Sequence, residues 1–352
     1  MTSPANCIRN EARVAQLILR DAAGNDAIVI DVLGPGAGDQ GIQVLQGIKN
    51  LYHVPREVLI ESGAYEEGGQ IGDYPRVLPR KAEMTIRSRA RTQADLELVE
   101  TLLWSTLSTR WHCYWRQFDS AGDWRETKVQ LAKTPDHLGD NIIGQDCHAD
   151  WKVELLSGDP FWYSETLEHE IIRGRDMTKV AGTTNTWTCD IPWANPADER
   201  CYPQWASRLM TTLERWTLPD ADGVYSTYNA PTAALIGKPV RHTLPDMDAA
   251  VARFLVDTYP TRPLLRVQNR SQQWARMKAE DFAFWLEPST PVERTVTVTL
   301  VGGTDDSGIT AFLPQRWDRP MGGQVLPLPI RPQYPSASLY PGANLFPGGV
   351  DA

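Results

Sequence analysis

The stretch Asp159-Pro160-Phe161-Trp162-Tyr163-Ser164 sets the tightest limit on how this chain can fold. It follows a strand-like run, 151–156, and ends it. Pro160 lacks a backbone donor and pushes Asp159 out of helical geometry, so the strand must stop or bend there. Three consecutive aromatics then concentrate apolar area at the bend, where packed layers meet. The segment reads as a domain junction.

With 352 residues, the chain is most economically divided into two domains. A hydrophobic content of 41% and a charged content of 22% fit a globular protein. The first twenty residues show no apolar signal region, and charges interrupt every apolar run, so export by a signal peptide and membrane insertion are not expected. The net charge of -9 argues against nucleic-acid binding, which rests on Lys and Arg neutralising phosphates. Five scattered cysteines without a Cys-x-x-Cys spacing point to reduced thiols and give no disulfide framework or zinc ribbon.

Upstream of the junction, strands dominate. Runs 14–19 and 27–32 flank a turn composition and read as a hairpin. Residues 61–79 carry four glycines, two prolines and the tyrosines Tyr65 and Tyr74, with little periodicity: an extended loop too long to be filler. Lys81, Glu83, Thr85, Arg87 and Arg89 alternate with Ala82, Met84, Ile86 and Ser88, which predicts a strand with a mainly basic outer face. Such a face is either solvated or an interface with an acidic surface. Residues 92–108 predict the main helix: Thr92 and Asp95 form a capping-box-like start, and Leu96, Val99, Leu103 and Leu107 recur at helical spacing, with Leu98 and Leu102 widening the stripe. Strands are expected at 111–118, 124–131 and 147–156, making this half α+β.

Downstream the pattern is all-β. Strands expected at 167–172, 185–190, 249–256, 264–267 and 292–301, with turns at short intervals, suggest a two-sheet sandwich. From 321 the composition changes again. Seven prolines fall from Pro320 to Pro347, with Tyr334-Pro335, Tyr340-Pro341 and Phe346-Pro347 repeating every six residues. Polyproline II and strand conformations both place all three aromatics on one side, spanning about 37 Å at ~3.1 Å per residue. A disordered Pro-rich end has the same composition; we favour an arm whose Tyr334, Tyr340 and Phe346 dock on a neighbouring copy.

No motif carries chemistry. Gly36-Ala37-Gly38-Asp39-Gln40-Gly41 matches G-x-G-x-x-G, but the β-like 42–45 follows it where a dinucleotide site needs a helix, so it predicts a turn. The six histidines lack metal-ligand spacing, and no Gly-x-Ser-x-Gly nucleophile elbow occurs. We therefore expect no catalytic, cofactor or metal site. Thirteen tryptophans leave a second possibility, that Trp187, Trp193 and Trp274 of the sandwich bind glycan, although core or interface packing also explains them.

Residues 51–164 are similar to the N-terminal domain of distal tail proteins, a kind of minor tail protein, from long, non-contractile-tailed phages infecting actinobacteria. The blocks Tyr202-Pro203-Gln204-Trp205, Trp216-Thr217-Leu218-Pro219, Phe254-Leu255-Val256-Asp257-Thr258, Gln273-Trp274-Ala275-Arg276-Met277 and Arg316-Trp317-Asp318-Arg319-Pro320 occur in the order those proteins show. The resemblance covers roughly residues 50–320. It implies an α+β ring-forming belt domain at 1–165, with an excursion at 61–79 reaching across the ring. It further implies a galectin-like, carbohydrate-module-like sandwich at 166–320; the Pro-rich arm at 321–352 is read from its own composition. The implied function is structural, a homo-hexameric ring joining the tail tube protein to the baseplate hub and anchoring tip proteins. The implied partners are the tube, hub or tail-associated and tape measure proteins, and the implied location is the virion tail tip, assembled in the host cytoplasm. On this reading Lys81, Arg87, Arg89, Tyr65 and Tyr74 are interface candidates. The alternative is a host-envelope glycan-binding module.

Overall fold

Alternation builds the first sheet. In the strand Arg80–Arg89, Ala82, Met84, Ile86 and Ser88 are buried while Lys81 and Arg89 are exposed, the two-residue period read from sequence. The computed structural model describes residues 14–45, 47–58, 60–61, 70–71, 75–119, 122–138, 147–225, 232–260, 262–269, 273–277, 282–290 and 294–322. Within them, the sheet runs in the order Asp26–Leu33, Val14–Arg20, Cys113–Phe118, Trp124–Leu131, His148–Ser157, Arg80–Arg89 and Ile42–Val44. Its first two strands form the expected hairpin, whose turn is held by Asp21 accepting from the backbone N–H groups of Ala23 and Asn25.

The helix Gln93–Thr106 lies on this sheet. Thr92 caps it, accepting from the Asp95 N–H at 3.2 Å, and Leu96 and Leu103 are buried. Leu98 does not join the apolar stripe: it is 69% exposed. At 100° per residue it stands roughly 200° from Leu96, on the far side of the helix.

The G-x-G-x-x-G segment is a turn leading into the strand Ile42–Val44. Its last glycine is required on two counts. Gly41 has a φ of +78°, and a Cβ there would stand 2.5 Å from the Arg89 carbonyl oxygen and 2.7 Å from the Val99 side chain.

Two five-stranded sheets follow, enclosing a second apolar core. One is Leu167–Ile172, Gly308–Leu313, Gln204–Ser207, Phe254–Asp257 and Leu265–Val267; the other is Thr178–Lys179, Thr186–Pro192, Thr295–Gly302, Glu214–Val224 and Pro239–Thr243. All strand pairings among the described residues are antiparallel. The strand expected at 249–256 begins only at Phe254. Before it, Asp248 accepts from the Ala250 N–H and Ala252 adopts a φ of +62°, so the chain turns instead.

Gly41→Ala should cost about 1–3 kcal/mol, since it adds both a left-handed backbone penalty and a clash with main chain. Urea denaturation of the full-length variant checks this; an unchanged midpoint would contradict the close approach described.

Candidate functional site

The segment 159–164, expected from its sequence to be a junction, lies where the described chain closes on itself. The two-residue strand Trp162–Tyr163 pairs on one edge with Trp124–Leu131 and on the other with Arg316–Trp317, which returns from the far end of the described chain. Trp162 is fully buried and donates from Nε1 to the Tyr52 carbonyl at 3.1 Å; Trp317 donates to the Ser164 hydroxyl at 2.9 Å. Each aromatic carries a guanidinium. Arg80 lies over Trp162 at 5.0 Å, Arg125 over Trp317 at 3.5 Å and Arg316 over Phe161 at 3.8 Å.

Arginine suits these places because its planar, weakly hydrated cation tolerates burial on a ring face. The cost shows in the titration of two of them. Burial pulls Arg80 down to about 10 and does the same to Arg125. Arg80 donates to the Pro160 carbonyl and Arg125 to that of Arg319. The bend at Pro160 thus turns its carbonyl toward the cation that stacks on the next tryptophan.

From this junction a ribbon departs. The Arg56 side chain is held by Glu199 and by Asp318, the latter at 3.4 Å. Directly beyond, Arg56–Glu57 pairs with Arg76–Val77, and Ile60–Glu61 pairs with Gln70–Ile71. The excursion expected as a loop is therefore a two-stranded ribbon over these paired residues. Its composition hid the pairing, because strands two residues long carry no periodicity to detect. Val58 is 52% exposed and Ile60 is 67% exposed. A two-stranded ribbon without a covering layer is marginal in water, so apolar residues on it point to a surface built for contact.

The other interface candidates are distributed unevenly. Lys81 and Arg89 are exposed at the two ends of their strand, without an ion pair among the described residues. Arg87 is committed within the chain: it pairs with Asp150 through two bonds of 2.7 Å across neighbouring strands. Lys152 and Glu83 also pair, at 3.9 Å. The face read as mainly basic is thus closer to charge-balanced: Asp150 of the neighbouring strand His148–Ser157 answers Arg87, and Glu83 of the strand itself answers Lys152. Tyr65, Tyr74, Tyr334, Tyr340 and Phe346 lie outside the described residues.

Of the tryptophans proposed for glycan contact, Trp193 is fully buried and stacked on Trp205 at 5.5 Å, so neither face is open to a sugar. Trp187 is half-buried, with Arg173 over its ring at 4.4 Å. Trp274 lies in the short 3-10 turn Gln273–Met277, and its side chain falls outside the described residues.

No protein-family model matches the sequence, and no curated protein matches it. Among solved structures, the chain is similar to the Dit protein of phage SPP1, described as a paradigm of the hub adsorption apparatus in Gram-positive infecting phages. The two are 12% identical, the match covers 86% of this chain and 99% of that one, and the TM-score is 0.50. The phage P2 baseplate in its activated conformation overlaps it with Ca (12% identity, 87% and 99% coverage, TM-score 0.46) and with Sr (13%, 87% and 99%, 0.45). At this identity the SPP1 likeness defines a fold: the chain has a Dit-like, β-rich architecture with two short α-helices among its described residues.

Two outcomes follow at the junction. Trp317→Ala should cost about 3–5 kcal/mol, the range for emptying a buried aromatic site. Calorimetry should then show two melting transitions for the variant where the wild type is expected to show one, as the first sheet loses its return strand. Acidification supplies the second. Burial raises Asp198 and Glu199 above their ordinary values, against the pull of Arg125 and Arg56 respectively. A carboxyl raised in the folded state contributes stability that is full below its unfolded value and lost as pH climbs through the folded one. Asp198→Asn should therefore shrink whatever gain in melting temperature the protein shows as the pH falls from about 7 to the ordinary carboxylate range near about 4. An identical pH profile for variant and wild type would show that burial does not perturb this carboxyl.

Proposed function

We propose that this protein is a structural component of a phage tail tip. It forms a six-membered ring that connects the tail tube to the baseplate hub and anchors other tip proteins. The observation that carries the reading is the rooted ribbon. Arg56 ties it to Glu199 and Asp318 at the junction, yet Val58 and Ile60 on it face solvent. An element both anchored and apolar fits a head-to-tail contact repeated around a closed ring. The Dit-like fold supports the same reading, because the SPP1 protein that shares it belongs to a hub adsorption apparatus.

On this reading residues 1–165 build the ring, and Lys81 and Arg89 steer each copy onto its neighbour. Residues 166–320 form an outward platform with a galectin-like sandwich, its return strand Arg316–Trp317 locking platform to ring. The arm at 321–352 reaches an adjacent copy through Tyr334, Tyr340 and Phe346. Tube, hub and tape measure proteins are the partners, the virion tail tip is the location, and the role involves no catalysis.

A Val58→Asp, Ile60→Asp double variant tests this directly. Both positions are exposed, so the monomer should fold with an unchanged melting curve. Burying each side chain contributes about 1.5–3 kcal/mol to association, so the variant should dissociate at protein concentrations where wild type sediments as a ring. A variant that assembles like wild type would remove the ribbon from the interface.

A further inference from the structure

Two neighbouring cavities, of about 230 Å³ and about 770 Å³, open on one flank of the junction and share Trp124, Ser164 and Glu165 in their walls. Together they form a trough with Pro320 at one end and Glu168 at the other. Trp124 is half-buried; Arg116 covers one face of its indole at 4.5 Å, and the ring borders both cavities. The uncommitted charges of the trough are acidic. Arg20 is held by Asp26 and Glu126, and Arg125 is buried against Trp317. Asp123, Glu165 and Glu168, by contrast, are exposed and make no ion pair among the described residues.

The described chain ends at this trough. Pro320 lines it, and Gly322 adopts a φ of +68°, a left-handed conformation suited to reversing the chain. Residues 323–352 follow. Within them, Pro329, Pro332, Pro335, Pro341 and Pro347 stand at multiples of three. Three residues make one turn of polyproline II, so in that conformation all five share one edge, with Leu328 and Arg331 on the next. Dipeptides ending in proline at this period are what aromatic-lined grooves recognise, because the helix is preformed and loses little entropy on docking. Arg331 is the only charged residue from 323 to 350. A single cation in the segment complements a trough whose uncommitted groups are carboxylates. Reach is sufficient: seven residues lead from Gly322 to Pro329, about 22 Å at ~3.1 Å per residue, and Trp124 lines the same cavity as Pro320.

We propose that this trough seats the chain's own Pro-rich segment, with Pro329 and Pro332 packed beside Trp124 and Arg331 paired with the carboxylates of Glu165 and Glu168. The occupant is the same chain rather than a second copy, because so short a tether holds the segment at an effective concentration in the millimolar range. Docking there fixes the root of the arm and leaves Tyr334, Tyr340 and Phe346 beyond it to reach a neighbour. The inference rests on reading 321–352 as an arm, and does not depend on ring formation.

Photo-crosslinking of the full-length protein tests this, with a benzophenone side chain replacing Ile330 and equal amounts of isotopically light and heavy protein mixed. Crosslinks are expected mainly in 122–126 and 163–168, each within a chain of one isotope. A Glu165→Lys, Glu168→Lys variant should lower their yield about two- to fivefold, the scale of one exposed ion pair, and adding Arg331→Glu should restore it. Should the glutamate variant fail to fold, Pro329→Gly, outside both cores, should give a loss of the same size. Crosslinks that fall outside the trough, or a yield indifferent to charge reversal, overturn the proposal. Crosslinks joining light to heavy chains overturn it too, because a neighbour's arm would then occupy the trough. The Val58→Asp, Ile60→Asp variant should keep the crosslinks, which separates a failure of docking from a failure to assemble.

Discussion

Trp162 and Trp317 face one another across a pairing only two residues long, and the architecture closes through it. Without that contact, the return strand would have no place on the first sheet, and the second core would be held by the covalent link at residues 159–166 and by side-chain ties such as Arg56 to Glu199. The pairing survives its shortness because both indoles are buried, each spends its N–H on a fixed oxygen, and each has a guanidinium on its face. Two backbone bridges alone would be marginal; stacked cations and two large buried rings are not. The same junction roots the ribbon through Arg56 and lines a cavity of about 620 Å³ through Tyr163 and Arg316. Distinct features of the surface thus share one mechanical origin.

Much of the first half was legible in the sequence. Alternation along 81–89, the Thr92 cap and the turn at 21–25 are local signals, and local physics decides them. Pro160 marked the end of the strand His148–Ser157 for the same reason. The partner of Trp162 could not be read, since nothing near Trp317 announces that it pairs there. Leu98 misled because its apolar character was counted without its angle around the helix. Within the ribbon, the sequence showed glycines and prolines but not which short segments would pair.

The strand Glu214–Val224 shows why the second half was harder. Pro219-Asp220-Ala221-Asp222-Gly223 has the composition of a turn, and Ala221 does adopt a φ of +41°. The strand continues because distant chain completes it. Asp220 accepts from the backbone N–H groups of Ala283 and Phe284, and Asp222 accepts from that of Glu287. Gly223 lies so close to Phe284 that a Cβ would stand 2.3 Å from its ring. Residues that read locally as chain-breakers are thus tertiary anchors, and no window of sequence contains their partners. Charge behaved similarly: Arg87 looked available until Asp150 arrived from the neighbouring strand.

The central claim is that the exposed ribbon is covered by another copy of the chain. Amide hydrogen exchange across residues 56–61 and 70–77 measures this directly, at dilute and at concentrated protein. Slower exchange confined to the ribbon at high concentration, with the buried sheets unchanged, is the outcome this account requires. Equal exchange at both concentrations would leave the ribbon bare and contradict it.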